Sequence, residues 1–414
     1  MKKKLKRYLQ HLDKRNKLIG GLLKGALYRK RQLFYFFRKA GCKVEKKTVL
    51  FTAYRGRSYS CSPKAIYEYM LNNDKYQDYH FIWAFKNVAP YEFLLQNRNT
   101  TIVKYPGREF EKCLAKVEYI VSNWRLPEHI YPRRHQKFLQ CWHGTPLKRL
   151  GFDIERGQNA KLSMSQVRKN YLRDAQKITY MLSPSRFATE KFISSFNLAK
   201  LNKADCIIEK GYPRNDFLYN FTDEDIIRVK KLLGLEHMQK KIILYAPTWR
   251  DNQHTTGVGY TLDLGTDFDK LRMALQDEYI ILFRAHYLVA NKFDFAKYAG
   301  FIYDVSHIDD INDLYIISDL LITDYSSVFF DYANLKRPMI FYMYDLDLYQ
   351  EILRGFYLDL EELPGPIVRS ENELIAAIKN STNVDEEVIT RFNKKFNYLE
   401  DGQAAKRVVE EVFQ

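Results

Sequence analysis

Short apolar runs, each followed by a stretch with helical spacing, recur through most of this 414-residue chain. The first series is Val49–Thr52, His80–Ala84, Thr101–Val103, Tyr119–Ser122, Phe138–Trp142, Tyr180–Ser183 and Cys206–Glu209. A second series is Ile242–Ala246, Tyr279–Arg284, Phe301–Tyr303, Leu320–Thr323 and Met339–Tyr342. Continuous apolar runs are what strands buried on both faces look like. Their alternation with helices predicts parallel sheets covered by helices on both sides. Between the series lies a charged helical segment, Asp223–Leu233, after the turn-rich Gly211–Asp216, and Glu371–Phe413 reads as helices alone. The expected fold is α/β, with two Rossmann-like doubly wound domains, residues 48–220 and 221–414, and an N-terminal helical arm over 1–47. Two such domains face each other across a cleft lined by the loops at their strand C-termini.

Charge is very unevenly placed. Residues 1–47 carry 12 Lys and 5 Arg against Asp13 and Glu45, so +15 of the net +16 sits in the arm. Apolar residues recur there at Leu5, Tyr8, Leu9, Leu12, Ile19, Leu22, Leu23, Ala26, Leu33, Phe34 and Phe37, a helical period with cations on the other face. Gly20, Gly21 and Gly25 are expected to split it into two helices. Such a segment suits the surface of an anionic membrane, where each cation adds about 1 kcal/mol. A basic helix docked on the protein's own body and a phosphate-gripping nucleic-acid arm are the other two readings. No stretch reaches the ~18 apolar residues of a membrane span, and no signal peptide is visible, so the chain is expected to stay in the cytoplasm. The five cysteines are scattered, which predicts reduced thiols rather than a disulfide frame or a zinc site.

Three clusters fall at predicted strand ends. After Phe138–Trp142 come His143, Gly144, Thr145, Pro146, Leu147 and Lys148. A histidine there is a general base for a hydroxyl nucleophile or the cap of a turn. Gly144 permits close approach, and Lys148 adds positive charge. After Tyr279–Phe283, Arg284 and His286 stand two apart, on one side of an extended segment, suited to pyrophosphate or to a structural carboxylate. After Leu320–Thr323, Asp324 leads through Tyr325 into Ser326 and Ser327 at a helix start, an anion site or a plain serine cap. Gly211–Asp216, with Arg214 and Asp216, and Tyr245–Arg250, with Thr248 and Arg250, also follow strands and read equally as turns. Asp345 and Asp347 form a D-x-D pair too short to specify a metal, and no Walker loop, His/Cys cluster or G-x-G-x-x-G is present.

In this order, His143-Gly144-Thr145, Gly211–Asp216, Ala246–Arg250, Arg284-Ala285-His286 and Thr323–Ser327, with Tyr59–Tyr67 upstream, resemble the CDP-glycerol glycerophosphotransferases of the teichoic acid primase and polymerase type. The resemblance implies a GT-B-like pair of domains and catalytic histidines at His143 and His286. It implies donor contacts from Arg284, Thr248, Arg250, Asp324, Ser326 and Ser327, and acceptor-side contacts from Gly144, Thr145, Lys148, Arg214 and Asp216. The implied reaction moves glycerol phosphate, or a related polyol phosphate, from a CDP-alditol to an undecaprenyl-linked acceptor at the cytoplasmic face of the membrane, releasing CMP into teichoic acid or capsule synthesis. CDP-ribitol as donor, or a nucleotide sugar in a GT-B glycosyltransferase, are the alternatives. No cofactor is required by this arrangement, a metal ion is left open, and no nucleic-acid partner is expected.

Overall fold

The computed structural model describes residues 17–155, 163–248, 254–255, 259–260, 266–284, 293–347, 355–381 and 385–414. The first series of apolar runs forms β1 (Glu45–Thr52), β2 (His80–Phe85), β3 (Thr100–Lys104), β4 (Val117–Ser122), β5 (Lys137–Gln140), β6 (Tyr180–Ser183) and β7 (Ile207–Glu209). They pair in the order β3-β2-β1-β4-β5-β6-β7, every pair parallel. The second series forms β8 (Lys241–Ala246) and, after a small antiparallel pair, β9 (His254–Thr255) and β10 (Gly259–Tyr260), continues in β11 (Tyr279–Phe283), β12 (Ile302–Asp304), β13 (Leu320–Thr323), β14 (Met339–Tyr342) and β15 (Ile367–Val368). This sheet is also all parallel, in the order β12-β11-β8-β13-β14-β15. Central strands such as β4 and β11 are buried along their whole length, which is why they read as unbroken apolar runs.

Each sheet changes direction beside its first strand, between β1 and β4 and between β8 and β13. Loops leaving those neighbours diverge, and the crevice beyond their C-terminal ends is where such sheets hold ligands. The two crevices face each other.

Three expectations need correction. Among the described residues the arm runs unbroken through Gly20, Gly21 and Gly25 as the helix Lys17–Ala40, where a break was expected. Each glycine costs only about 1 kcal/mol against alanine, and the helix is docked at its C-terminal end, which offsets that cost. There Tyr35 is buried and its hydroxyl donates to the Leu114 carbonyl at 3.1 Å, Arg38 pairs with Glu111, and Arg133 donates to the Cys42 carbonyl at 2.8 Å. Its other side turns outward, with Leu22, Leu33, Phe34, Phe36 and Phe37 all more than half exposed. The segment 1–16 lies outside the described residues.

The second correction concerns the C-terminus, placed by the sequence within a domain of 221–414. The final helix, Ala404–Val412, leaves that domain and buries Val408, Val409 and Val412 with Val49, Phe51 and Tyr67 of the first. Its apolar face has to be covered, and Asp216 accepts from the amides of Ala404 and Ala405, at 2.8 and 2.7 Å, to seat its start there. Third, β5 ends two residues earlier than Phe138–Trp142 implied, because Trp142 sits at φ +51°. A non-glycine residue in that region is strained by about 1–3 kcal/mol, and the turn aims the next residue, His143, into the cleft.

Candidate active site

A cleft of about 730 Å³ opens between the two sheets, lined by His143, Gly144 and Arg214 from one side and Thr248, Arg284 and Ser327 from the other. His143 is half-buried against the ring of Trp142, at 4.8 Å between centroids, and that of Trp124, at 5.2 Å. Its Nδ1 lies 3.1 Å from the Asn123 carbonyl. A carbonyl only accepts, so Nδ1 carries the proton and the neutral ring keeps Nε2 as its basic atom. Burial pushes the imidazole pKa down to about 4; the Asn123 bond opposes that, and the charges of Arg214 and Arg125 add to it. At neutral pH the ring is a proton acceptor.

Gly144 explains why no side chain follows the histidine. A Cβ at this position would stand 2.4 Å from Ser327 Oγ and 3.2 Å from its Cβ. The first domain's turn therefore meets the start of the Val328–Tyr332 helix of the second almost directly. Ser327 occupies the cap position of that helix, yet its hydroxyl makes no capping bond. The plain-cap reading of Ser327 is thereby set aside, and the hydroxyl borders the cleft with Ser326.

Arg284 leaves the end of β11 with its backbone amide bonded to the Tyr245 carbonyl at 2.9 Å. Its Nη1 donates to the carbonyls of Ile308, at 2.7 Å, and Val305, at 3.3 Å, which fixes the guanidinium at the cleft wall. Asp324 has a different task from the donor contact expected of it. Its Oδ1 accepts from the amides of Thr248, at 2.8 Å, and Tyr325, at 2.6 Å, tying the end of β8 to the end of β13. Arg250 and His286 lie outside the described residues.

Of the acceptor-side expectations, Asp216 is corrected and Arg214 has a structural partner. Arg214 does line the cleft, but its Nε and Nη2 grip Asp331 at 3.0 and 2.8 Å, with side chains only 5% and 9% exposed. It is an interdomain ion pair. Asp216 points to the final helix, and its carboxyl is pushed up to about 6, chiefly by burial. Thr145 is buried beside His143, and Lys148 stands in a short interdomain ladder opposite Phe356. There Tyr357 N bonds to Leu147 O at 2.8 Å and Arg149 N to Gly355 O at 3.1 Å. The D-x-D pair is occupied, Asp345 accepting from the Tyr325 hydroxyl at 3.0 Å and Asp347 pairing with Arg369 at 3.2 Å.

Sequence reasoning missed Asn123, which sets the His143 tautomer, and the loop after β12 that brings Ser306, His307, Asp309 and Asp310 to the cleft. His307 follows a strand end closely, the same signal as at His143, but β12 is only three residues long and its end leaves little mark in the sequence.

With this geometry in view, the family model for CDP-glycerol:poly(glycerophosphate) glycerophosphotransferases matches residues 33–414. The chain belongs to that family. It is 41% identical over 418 residues to a teichoic acid poly(glycerol phosphate) polymerase of Bacillus subtilis (strain 168), covering 100% of this chain and 54% of that relative. The chain thus spans about half the length of this relative. A teichoic acid glycerol-phosphate transferase of Staphylococcus aureus is 39% identical over 374 residues, with 89% and 93% covered. Teichoic acid ribitol-phosphate polymerases match at 32% or less. Among solved structures, a variant of the wall teichoic acid polymerase TagF soaked with CDPG superposes with a TM-score of 0.83 at 35% identity, covering 97% of each chain. The expected GT-B-like pair of domains is the fold that both share.

Proposed function

We propose that this protein transfers glycerol phosphate from CDP-glycerol to the terminal hydroxyl of a lipid-linked polymer in teichoic acid synthesis, releasing CMP. The observation that carries the reading is His143, neutral, proton-fixed at Nδ1 and lining the same cleft as Ser327, whose hydroxyl closely approaches the adjacent Gly144. The acceptor oxygen attacks the phosphorus bearing glycerol, the bond from that phosphorus to the bridging oxygen breaks, and CMP takes the electron pair. The hydroxyl proton passes to Nε2 of His143 and then to solvent. The donor's negative pyrophosphate, arriving beside the ring, raises its pKa from about 4 toward the working range. Arg284 and the Ser326/Ser327 hydroxyls stabilise the charge that moves onto CMP, a contribution of about 3 kcal/mol per donor group. Glycerol is favoured over ribitol by the higher identity to the glycerol-phosphate relatives.

The outward face of the helix Lys17–Ala40, with Leu33, Phe34, Phe36 and Phe37 exposed beside many cations, supports peripheral attachment to the cytoplasmic face of the membrane, where a lipid-linked acceptor is presented. The deciding experiment follows CMP release from purified protein with a lipid-linked acceptor analogue, offering CDP-glycerol, CDP-ribitol and UDP-sugars in turn. Release from CDP-glycerol, lost in folded His143→Asn, is expected. Turnover with a UDP-sugar alone would overturn the reading.

A further inference from the structure

The loop after β12 connects the donor side of the cleft to the first domain through a set of bonds that the proposed chemistry does not use. Asp309 Oδ2 accepts from the Tyr91 hydroxyl at 2.7 Å, whose one proton also faces the Arg57 carbonyl at 3.0 Å, and from the Tyr59 amide at 3.2 Å. Beside it, Asp310 pairs with Lys64 at 3.1 Å and accepts from the Asn312 amide at 3.2 Å, capping the helix Ile311–Ile317. Tyr59, Lys64 and Tyr91 belong to the first domain, and both aspartates to the second. Within a few residues on the same loop are the carbonyls of Val305 and Ile308 that hold Arg284 Nη1. Val305 itself is tied to β11 by its amide, bonded to the Phe283 carbonyl at 3.1 Å.

Seen from Arg284, the guanidinium is held by carbonyls whose position depends on a carboxylate clasped by the opposite domain. Tyr91 is itself fixed, buried and stacked on Phe85 at 3.9 Å between centroids, so its hydroxyl is a rigid post. We propose that Asp309 is a positioning residue: held by Tyr91 and Tyr59, it sets the 305–310 loop, so that closure of the two domains orients Arg284 for the donor's pyrophosphate. Tyr91 and Tyr59 thereby contribute to donor affinity from outside the lining of the cleft. This rests on the reading of Arg284 as a donor contact. The coupling between Tyr91 and the loop does not.

Two measurements separate these layers. Tyr91→Phe removes one hydroxyl and keeps the stacked ring, so the variant is expected to fold. Hydrogen exchange of the 305–310 amides needs no ligand, and about tenfold faster exchange is expected, the scale of one lost hydrogen bond. Unchanged exchange there would overturn the proposal. Calorimetric binding of CDP-glycerol is then compared for wild type, Tyr91→Phe, Arg284→Lys and the double variant. Dissociation constants about fivefold to tenfold higher in Tyr91→Phe, with kcat at saturating donor and acceptor KM little changed, are expected, and the double variant should be no weaker than Arg284→Lys. Full additivity would show that Tyr91 does not act through Arg284 and would overturn the proposal. Absence of CDP-glycerol binding by wild type would instead strike the proposed function, leaving the exchange result to decide the coupling.

Discussion

Arg214 and Asp331 join the turn that ends the first domain to the helix Val328–Tyr332 of the second, and their energetics are open to direct test. The contact is a two-bond fork, at 3.0 and 2.8 Å, with a third bond from Asn215 Nδ2 to Asp331 at 3.1 Å and the guanidinium 4.0 Å above the Tyr212 ring. Burial opposes the Arg214 charge, and its surroundings, Asp331 foremost with Cys61 and Tyr212, more than restore it. At 5% and 9% exposure little water reaches either partner. Asp331→Ala therefore leaves a buried cation without its counter-charge, a loss of about 3–5 kcal/mol. For domains of this size that corresponds to a fall in Tm of about 10 °C. Arg214→Met should cost less, because Asp331 keeps the Asn215 bond. In Arg214→Met/Asp331→Leu both charges are gone, and at least half of the Asp331→Ala loss should return. Thermal and urea unfolding followed by two probes would measure this, since two domains need not unfold together. If Asp331→Ala melted within about 2 °C of wild type, or the double variant were less stable than Asp331→Ala, the pin would be refuted. A change confined to acceptor KM in Arg214→Met would restore the acceptor role expected from the sequence.

Other consequences are equally accessible. His143→Asn should lower kcat by about 10²–10⁴-fold while CDP-glycerol binding changes little, measured by CMP release and calorimetry. Because the free ring titrates near 4 and must be neutral to act, the His143-dependent part of kcat/KM should fall only as pH drops through about 4; a limb near 6.5 would show an ordinary solvated imidazole. Asp216→Ala should cost about 1 kcal/mol as a lost helix cap and leave acceptor KM unchanged. With its folded pKa raised to about 6, this carboxyl's contribution is present below the unfolded value near 4 and is lost as pH rises through 6, so wild type but not Asp216→Ala should lose that increment in urea titrations. Replacing Phe34, Phe36 and Phe37 by serine should abolish co-flotation with vesicles rich in anionic lipid and leave Tm within about 2 °C, since all three are exposed. Retained flotation would remove the helix from membrane attachment.

Local chemistry encodes the strands of this fold and the places where they stop. β6, β13 and β14 begin and end where the apolar runs Tyr180–Ser183, Leu320–Thr323 and Met339–Tyr342 do, because a strand covered on both faces must be apolar throughout. The positions of His143, Arg284 and Ser327 were legible for the same reason, as polar residues placed where such a run stops. Tertiary structure decided which way the turn residues face. Arg214 and Asp216 sit in one short turn of the loop type, yet their partners lie 117 and 188 residues further along the chain, and no local pattern announces an Asp331 or an Ala404. The same holds for the arm, where helical spacing was visible but its docked and outward faces were not. Tyr35 turns inward, where Leu114 offers a carbonyl, while Phe34, Phe36 and Phe37 face outward. A run of apolar residues specifies burial, whereas a polar side chain at a turn takes its direction from whichever distant partner satisfies its hydrogen bonds.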